Sequence, residues 1–259
     1  MIVKSDAVVL QTRRFRESSK IVTFYTREYG KLGAVARGVL QPKNRYGAVL
    51  QPMAHLSVLI YRKEGRDLHN LSTAESIERF GVLNSSLERM SAGLSILEIV
   101  NAAMHDEDRN DELFDLIVAA LRMLNDPESD PGGIQLWFHL RLASILGYAI
   151  TAEQCGVCGE AFDVSLASLP FNLAIGAPLC SEHRESMAYR PINNGSFAVL
   201  RRLLVAEADE AAREMVGTAE TTELGDLLTS FIRYHVDGIR TLKARGVAAK
   251  VLDGGPART

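Results

Sequence analysis

A bound metal ion constrains a chain more tightly than any hydrophobic pattern, and this chain carries the ligand spacing that metal sites use. Cys155 and Cys158 stand in CGVCG, Cys180 and His183 stand in PLCSEH, and residues 159 to 179 separate the two pairs. A two-residue gap lets one turn aim both side chains at one ion, and a second pair closes a tetrahedron of thiolate and imidazole ligands. The spacing therefore predicts one Zn2+ per chain, held by Cys155, Cys158, Cys180 and His183. These pairs use all three cysteines of the chain. A disulfide framework would want an even number and an oxidising compartment. A thioredoxin-like redox pair would open a helix, whereas Gly156 and Gly159 bracket this pair as in a turn. Four protein ligands leave no open position for water or substrate, so the ion is expected to staple the fold and to perform no chemistry.

The net charge of −3 conceals a division along the chain. Residues 1–80 carry 14 Lys and Arg against 7 Asp and Glu, and the first 47 residues carry 10 against 3, while the remainder is acidic. A basic segment of this kind is the electrostatic footprint of a surface that tracks phosphates, although charge alone equally describes a solvated face. No apolar run approaches the roughly 20 residues needed to cross a bilayer, and the N-terminus is not signal-like. A reducing cytoplasm is the expected location, with no membrane partner.

Hydrophobic periodicity changes near Phe80. Before it, short alternating segments read as strands at Asp6–Leu10, Ile21–Thr26, Gly33–Arg37, His55–Tyr61 and Leu68–Ala74, which in so few residues predict a small closed barrel. Gly30 is expected at positive φ in a hairpin turn, and the connection from Gly38 to Pro52 is long and polar. Phe15, Phe24, Tyr25, Tyr29 and Tyr46 are interleaved with the cations, as base stacking would require, though strand alternation must turn about half of them inward.

After Phe80 the period is helical. The spacing predicts helices through Leu87–Val100, Leu113–Leu124 and Leu136–Leu146, the last ended by Gly147 as an αL cap. Beyond Pro191 it predicts a helix over Phe197–Ala206 with Ser196 as N-cap, and a long one from about Thr222 to Arg245. The expected organisation is a barrel over 1–80, a helical domain over 81–150 and 191–250 interrupted by a zinc insert over 151–190, and a tail over 251–259.

The stretch from Asp6 to Gly47 (DAVVLQTRRFRESSKIVTFYTREYGKLGAVARGVLQPKNRYG), the run LRLASILGY, and the CGVCG and PLCSEH pairs resemble the bacterial recombination mediator protein O (RecO) family, and the resemblance covers nearly the whole chain. It implies an α+β architecture, with an N-terminal five-stranded OB-fold β-barrel followed by an α-helical domain carrying an inserted zinc-binding element. It also implies binding of single- and double-stranded DNA, annealing of complementary strands, and help in loading recombinase onto DNA covered by single-strand-binding protein. The implied protein partners are RecR and the acidic C-terminal tail of single-strand-binding protein. Members commonly have cysteine as the fourth zinc ligand, where this chain has His183.

On that reading Arg14, Lys31, Arg37, Lys43 and Arg45 are the candidate phosphate contacts, since they sit near predicted strand ends or on the long loop. Arg233, His235, Arg240, Lys243 and Arg245 form a second basic stretch, and Arg141 is a candidate cation for the mouth of a groove that takes the tail. No catalytic residue and no small-molecule substrate are expected. The chain has no G-x-x-x-x-G-K-[ST] loop, no G-x-S-x-G elbow and no H-E-x-x-H. Two other readings stay open. Asp106 with Asp108, or Glu107 with Asp111, could hold magnesium for nuclease chemistry, although in the polar stretch between two helices such acids also form a solvated loop, and the basic barrel could dock an acidic partner with no nucleic acid involved.

Overall fold

The structure, a computed structural model, describes residues 1–41, 47–63 and 65–236. The described residues form two compact units, 1–126 and 127–236.

The first unit is built on a closed barrel of β1 (Ile2–Phe15), β2 (Ser19–Thr26), β3 (Gly30–Ala36), β4 (His55–Tyr61) and β5 (Leu68–Glu78), in the order β1-β2-β3-β5-β4. All five predicted strands are present, and β1, β3 and β5 are longer than their apolar cores suggested. β1 serves two neighbours. Its first half pairs with β4 from Ile2↔Tyr61 to Val8↔His55, its second half with β2 from Ala7↔Thr26 to Phe15↔Ser19, and a bulge between Val9 and Gln11 bends it. Bulges of this kind let one strand turn the corner of a small barrel. The parallel pairing of β3 with β5, Gly33↔Leu68 to Val35↔Asn70, closes the wall. This is the OB-like barrel that the resemblance implied. Alternate residues fill the interior, among them Val3, Ala7, Val9, Val22, Phe24, Leu32, Ile60 and Leu71.

Part of the outer wall is covered as well. α1 (Leu87–Ala103) and α2 (Asp111–Leu124) follow a short 3-10 turn at Leu83–Ser85. Each helix starts at a side-chain cap, Ser86 accepting from the Arg89 N–H and Asn110 from the Leu113 N–H at 2.8 Å. This cover explains why β2 buries both Phe24 and Tyr25, on opposite faces of the strand. Gly30 has the expected positive φ, +63°, and a Cβ there would lie 2.1 Å from the Asp108 carbonyl oxygen. The turn thus needs glycine for its backbone and for the close approach of the α1–α2 loop.

In the second unit α3 (Pro131–Ile145) runs through the core, capped by Asp130, whose Oδ1 accepts from the Gly133 N–H at 2.7 Å, and ended by Gly147 at φ +86°. Around it stand α5 (Asn194–Val205), α6 (Ala208–Arg213) and α7 (Thr218–His235). A three-stranded sheet of β6 (Ser168–Asn172), β7 (Ala177–Pro178) and β8 (Arg190–Asn193), with the single turn α4 (His183–Ser186), makes up the insert. Periodicity does not reveal this sheet, because its strands are two to five residues long.

One cap is corrected. α5 begins at Asn194, and Ser196 is buried inside the helix, its hydroxyl held by the Glu223 carboxylate at 2.5 Å. α7 begins at Thr218, and the predicted helix beyond residue 236 falls outside the described residues. Among the described residues no helix is long and apolar enough to cross a membrane.

Candidate metal centre and nucleic-acid interface

The first ligand pair sits on a tight turn after α3. Cys155 N–H donates to the Glu160 carbonyl at 2.8 Å, Gly159 N–H donates to the Cys155 carbonyl at 3.0 Å, and Gly156 N–H reaches Pro178 at 3.0 Å. Gly159 takes φ +73°, and a Cβ on Gly156 would lie 2.5 Å from that of Ala177. The glycines therefore shape the turn and let it press against the β6–β7 hairpin. That hairpin delivers Cys180 at its exit, and α4 begins at His183, with Arg184 N–H donating to the Cys180 carbonyl at 3.1 Å.

The four ligand atoms lie within 4.8 Å of one another. Cys180 Sγ is 3.1 Å from His183 Nδ1, Cys155 Sγ is 3.8 Å from the same nitrogen, and Cys158 Sγ is 3.9 Å from Cys180 Sγ. Tetrahedral bonds of about 2.3 Å to sulfur and 2.0 Å to nitrogen require ligand–ligand edges of roughly 3.5–3.8 Å. The set therefore fits a metal ion, with histidine presenting Nδ1, and its three cysteines are free thiols. Burial pushes the Cys155 thiol up, but the backbone N–H groups of Cys158, Val157 and Cys180 outweigh it and hold the thiol below its ordinary value. The His183 backbone N–H lowers the Cys180 thiol in the same way, so two of the three sulfurs are biased toward the ligating thiolate.

The chain contains two His-x-Glu triplets of the kind zinc deaminases use, His105–Glu107 and His183–Glu185. His183 belongs to the complete four-residue set, which has no position left for a reacting water, and the Glu107 carboxylate is bound to Arg62 at 2.6 and 3.1 Å.

On the barrel, the candidate cations separate into spent and available groups. Lys31 is spent: its ammonium takes the carbonyl oxygens of Asn101 and Met104 at the end of α1, lies 3.4 Å from Asp106, and leaves its side chain only 14% exposed. Arg27 pairs with Asp115 across the α2 interface, over the ring of Phe114. Arg14 and Arg37 are exposed and form no salt bridge among the described residues. Lys43 and Arg45 lie outside the described residues.

Register assembles a larger patch than was foreseen. Arg14 is the Cα partner of Lys20, Lys20 is the partner of Ala36, and Arg37 follows directly, so three adjacent strands bring their cations to one end of the barrel. Arg13 and Arg16 flank the same hairpin, and Arg16 sits over the Phe15 ring at 5.2 Å. The run Arg13-Arg14-Phe15-Arg16 was the available signal for these additions.

The acidic stretch after α1 is not an open metal site. Asp106 faces Lys31, Asp111 pairs with Arg109 at 2.8 Å, and Glu107, at φ +61°, holds Arg62 and lies 3.5 Å from the buried His69. The Arg62 guanidinium keeps the Glu107 carboxyl below the usual carboxylate range. The contacts of Asp106 with Lys31 and of Glu107 with Arg62 and His69 hold the α1–α2 loop to the barrel, and the Arg109–Asp111 pair is local to the loop.

Arg141 is also spent, donating to the Ala206 carbonyl at 2.6 Å and to Leu204 at 3.4 Å at the end of α5. His235 stacks on Tyr148 at 4.6 Å, while Arg240, Lys243 and Arg245 lie outside the described residues.

Comparison with known proteins follows this division of the chain. Residues 1–80 match the family described as "Recombination protein O N terminal", and residues 84–245 match "Recombination protein O C terminal". Curated relatives include the "DNA repair protein RecO" of Salinibacter ruber, 35% identical over 96% of this chain and 94% of that protein. Proteins of the same name in Chlorobium limicola (30%, covering 97% and 99%) and Symbiobacterium thermophilum (29%, covering 93% and 94%) are similarly related along their whole length.

Proposed function

The chain belongs to the recombination protein O family, and from that premise we propose that it is a non-enzymatic mediator of DNA repair and recombination that binds DNA through the basic end of its barrel. The observation that carries this reading is a set of cations that form no salt bridge among the described residues, Arg13, Arg14, Arg16, Lys20 and Arg37, gathered by strand register on an OB-like barrel. A row of guanidinium and ammonium groups neutralises phosphates without reading bases, which suits a protein that must accept any sequence, single- or double-stranded. Lys43 and Arg45, which lie outside the described residues, are further candidate contacts on sequence grounds alone.

Annealing follows from the same charge. Two strands whose pairing is already downhill need only neutralisation and juxtaposition, so the protein anneals complementary strands without ATP or magnesium and helps recombinase replace single-strand-binding protein. RecR and the C-terminal tail of single-strand-binding protein are the protein partners, and the nucleoid within the cytoplasm is the site of action. The ion at Cys155, Cys158, Cys180 and His183 is Zn2+. When bound there it would supply a structural cross-link, and the chain's own turn and hairpin hold the four side chains in place.

Fluorescence annealing of complementary oligonucleotides, with and without the cognate single-strand-binding protein, tests the proposal. ATP-independent annealing of both naked and coated strands is expected. A strict ATP requirement would contradict the mediator reading and favour an enzyme, and no binding in a salt-dependent gel shift would leave the basic barrel as a dock for an acidic protein.

A further inference from the structure

We infer that Phe15 is a stacking platform for an unpaired base of single-stranded DNA, set among the arginines of the β1–β2 hairpin; the inference rests on the DNA reading above. Phe15 forms the last pair of the hairpin, opposite Ser19, where β1 runs off the end of the barrel. It is half-buried, unlike the fully buried Phe24 of the barrel core, so part of the ring reaches solvent.

The next residue shows that the ring is held in a particular setting. Arg16 takes φ +57°, a left-handed conformation that disfavours residues with a Cβ and that glycine would adopt freely. That conformation brings the guanidinium 5.2 Å from the Phe15 ring centroid. Arg14 braces the turn by donating to the Glu17 carbonyl at 3.4 Å, and Glu17 is the one acid from Arg13 to Lys20, against Arg13, Arg14, Arg16 and Lys20. An aromatic ring with a cation on it and further cations around it matches the alternation of base and phosphate along one strand. In a duplex the base faces are already stacked on each other, so Phe15 has nothing to receive and only the cations act. The ring would thus add to the affinity for single strands and leave duplex affinity to the cations.

The test uses the full-length protein and three ligands of equal length: an oligothymidylate, the same backbone with abasic positions, and a duplex. Phe15→Ala and Phe15→Leu are expected to weaken oligothymidylate binding on the order of tenfold, as loss of one stacked base does. Phe15→Trp restores it, and duplex and abasic affinities move by less than about twofold in every variant. Unchanged circular dichroism of the Leu and Trp variants, which keep the side-chain volume, separates stacking from misfolding. Wild-type affinity in Phe15→Leu, or an equal loss on all three ligands, overturns the stacking role and leaves the mediator reading standing. A wild-type protein that binds none of the three, yet binds an acidic peptide, overturns both.

Discussion

The ammonium of Lys31 lies 3.1 Å from the carbonyl oxygen of Asn101, a residue seventy positions along the chain. With the Met104 carbonyl on the same nitrogen, this lysine closes the C-terminal end of α1, where unpaired carbonyls and the helix dipole favour a cation. A basic residue on a barrel strand has thereby become part of the joint between barrel and helices.

Lys31→Ala is accordingly expected to act on stability. Hydrogen bonds from a charged donor contribute roughly 1.5–3 kcal/mol, so the loss should be on the order of 2 kcal/mol in denaturant unfolding. DNA affinity of the folded variant should stay close to wild type.

Substituting Arg14, Lys20 and Arg37 together with alanine has the opposite profile. Each phosphate contact contributes about 0.7 to the logarithmic salt slope on single strands, so the slope should become shallower by about 2, with little sequence dependence. Gel shifts across a salt series measure both affinity and slope.

At Arg16 stability and binding should part company. Arg16→Gly relieves the left-handed backbone and is expected to stabilise the protein by about 1 kcal/mol. It also removes the guanidinium over Phe15, so thermal melting should rise while affinity for single strands falls.

Removal of the metal should be felt first in the insert. Structural zinc sites supply apparent binding energies on the order of 10 kcal/mol, and the core around Cys155, Leu179 and Cys180 is too small to hold its shape without the ion. A strong chelator, or Cys158→Ser, should lower the melting temperature and raise amide exchange over residues 155–187. Elemental analysis of the wild type should return one zinc per chain, and His183→Ala should lower that occupancy.

Acid should destabilise the first unit in two steps. His55 is buried against the ring of Phe114, with Glu78 3.8 Å away, Asp6 and Arg122 nearby, and no hydrogen bond to either ring nitrogen among the described residues. Burial pushes its pKa below the ordinary 6.5, so the unfolded chain takes up the proton first. Its contribution is complete above pH 6.5 and is lost as the pH falls from there through the depressed folded value. The Arg122 guanidinium holds the Glu78 carboxyl below its ordinary 4.5, and that contribution disappears lower still, as the pH falls through the folded pKa. Urea unfolding as a function of pH should show both steps, and His55→Leu should abolish the first.

Features whose cause is local could be read from residues alone. Strand alternation placed all five barrel strands, Gly30 and Gly147 marked left-handed turns, and the two Cys-x-x-Cys/His pairs identified the ligand set, because each depends on spacing over a few residues. Capping was legible only where the competing partner was also local. Asp130 caps α3 from three residues away, whereas Ser196 looks like a cap in sequence and is claimed instead by Glu223, 27 positions on. The same limit governs charge. Lys31 and Arg14 are equivalent as letters, yet one is held by α1 and the other is exposed at the barrel end beside Lys20. A charge is spent or available according to what lies within about 4 Å of it, where Coulomb and hydrogen-bond energies become large, and that neighbourhood comes from strand register and helix docking. Spacing along the chain therefore established the barrel strands and the Cys/His cluster, and three-dimensional packing decided which cations are held by neighbouring groups and which stay exposed.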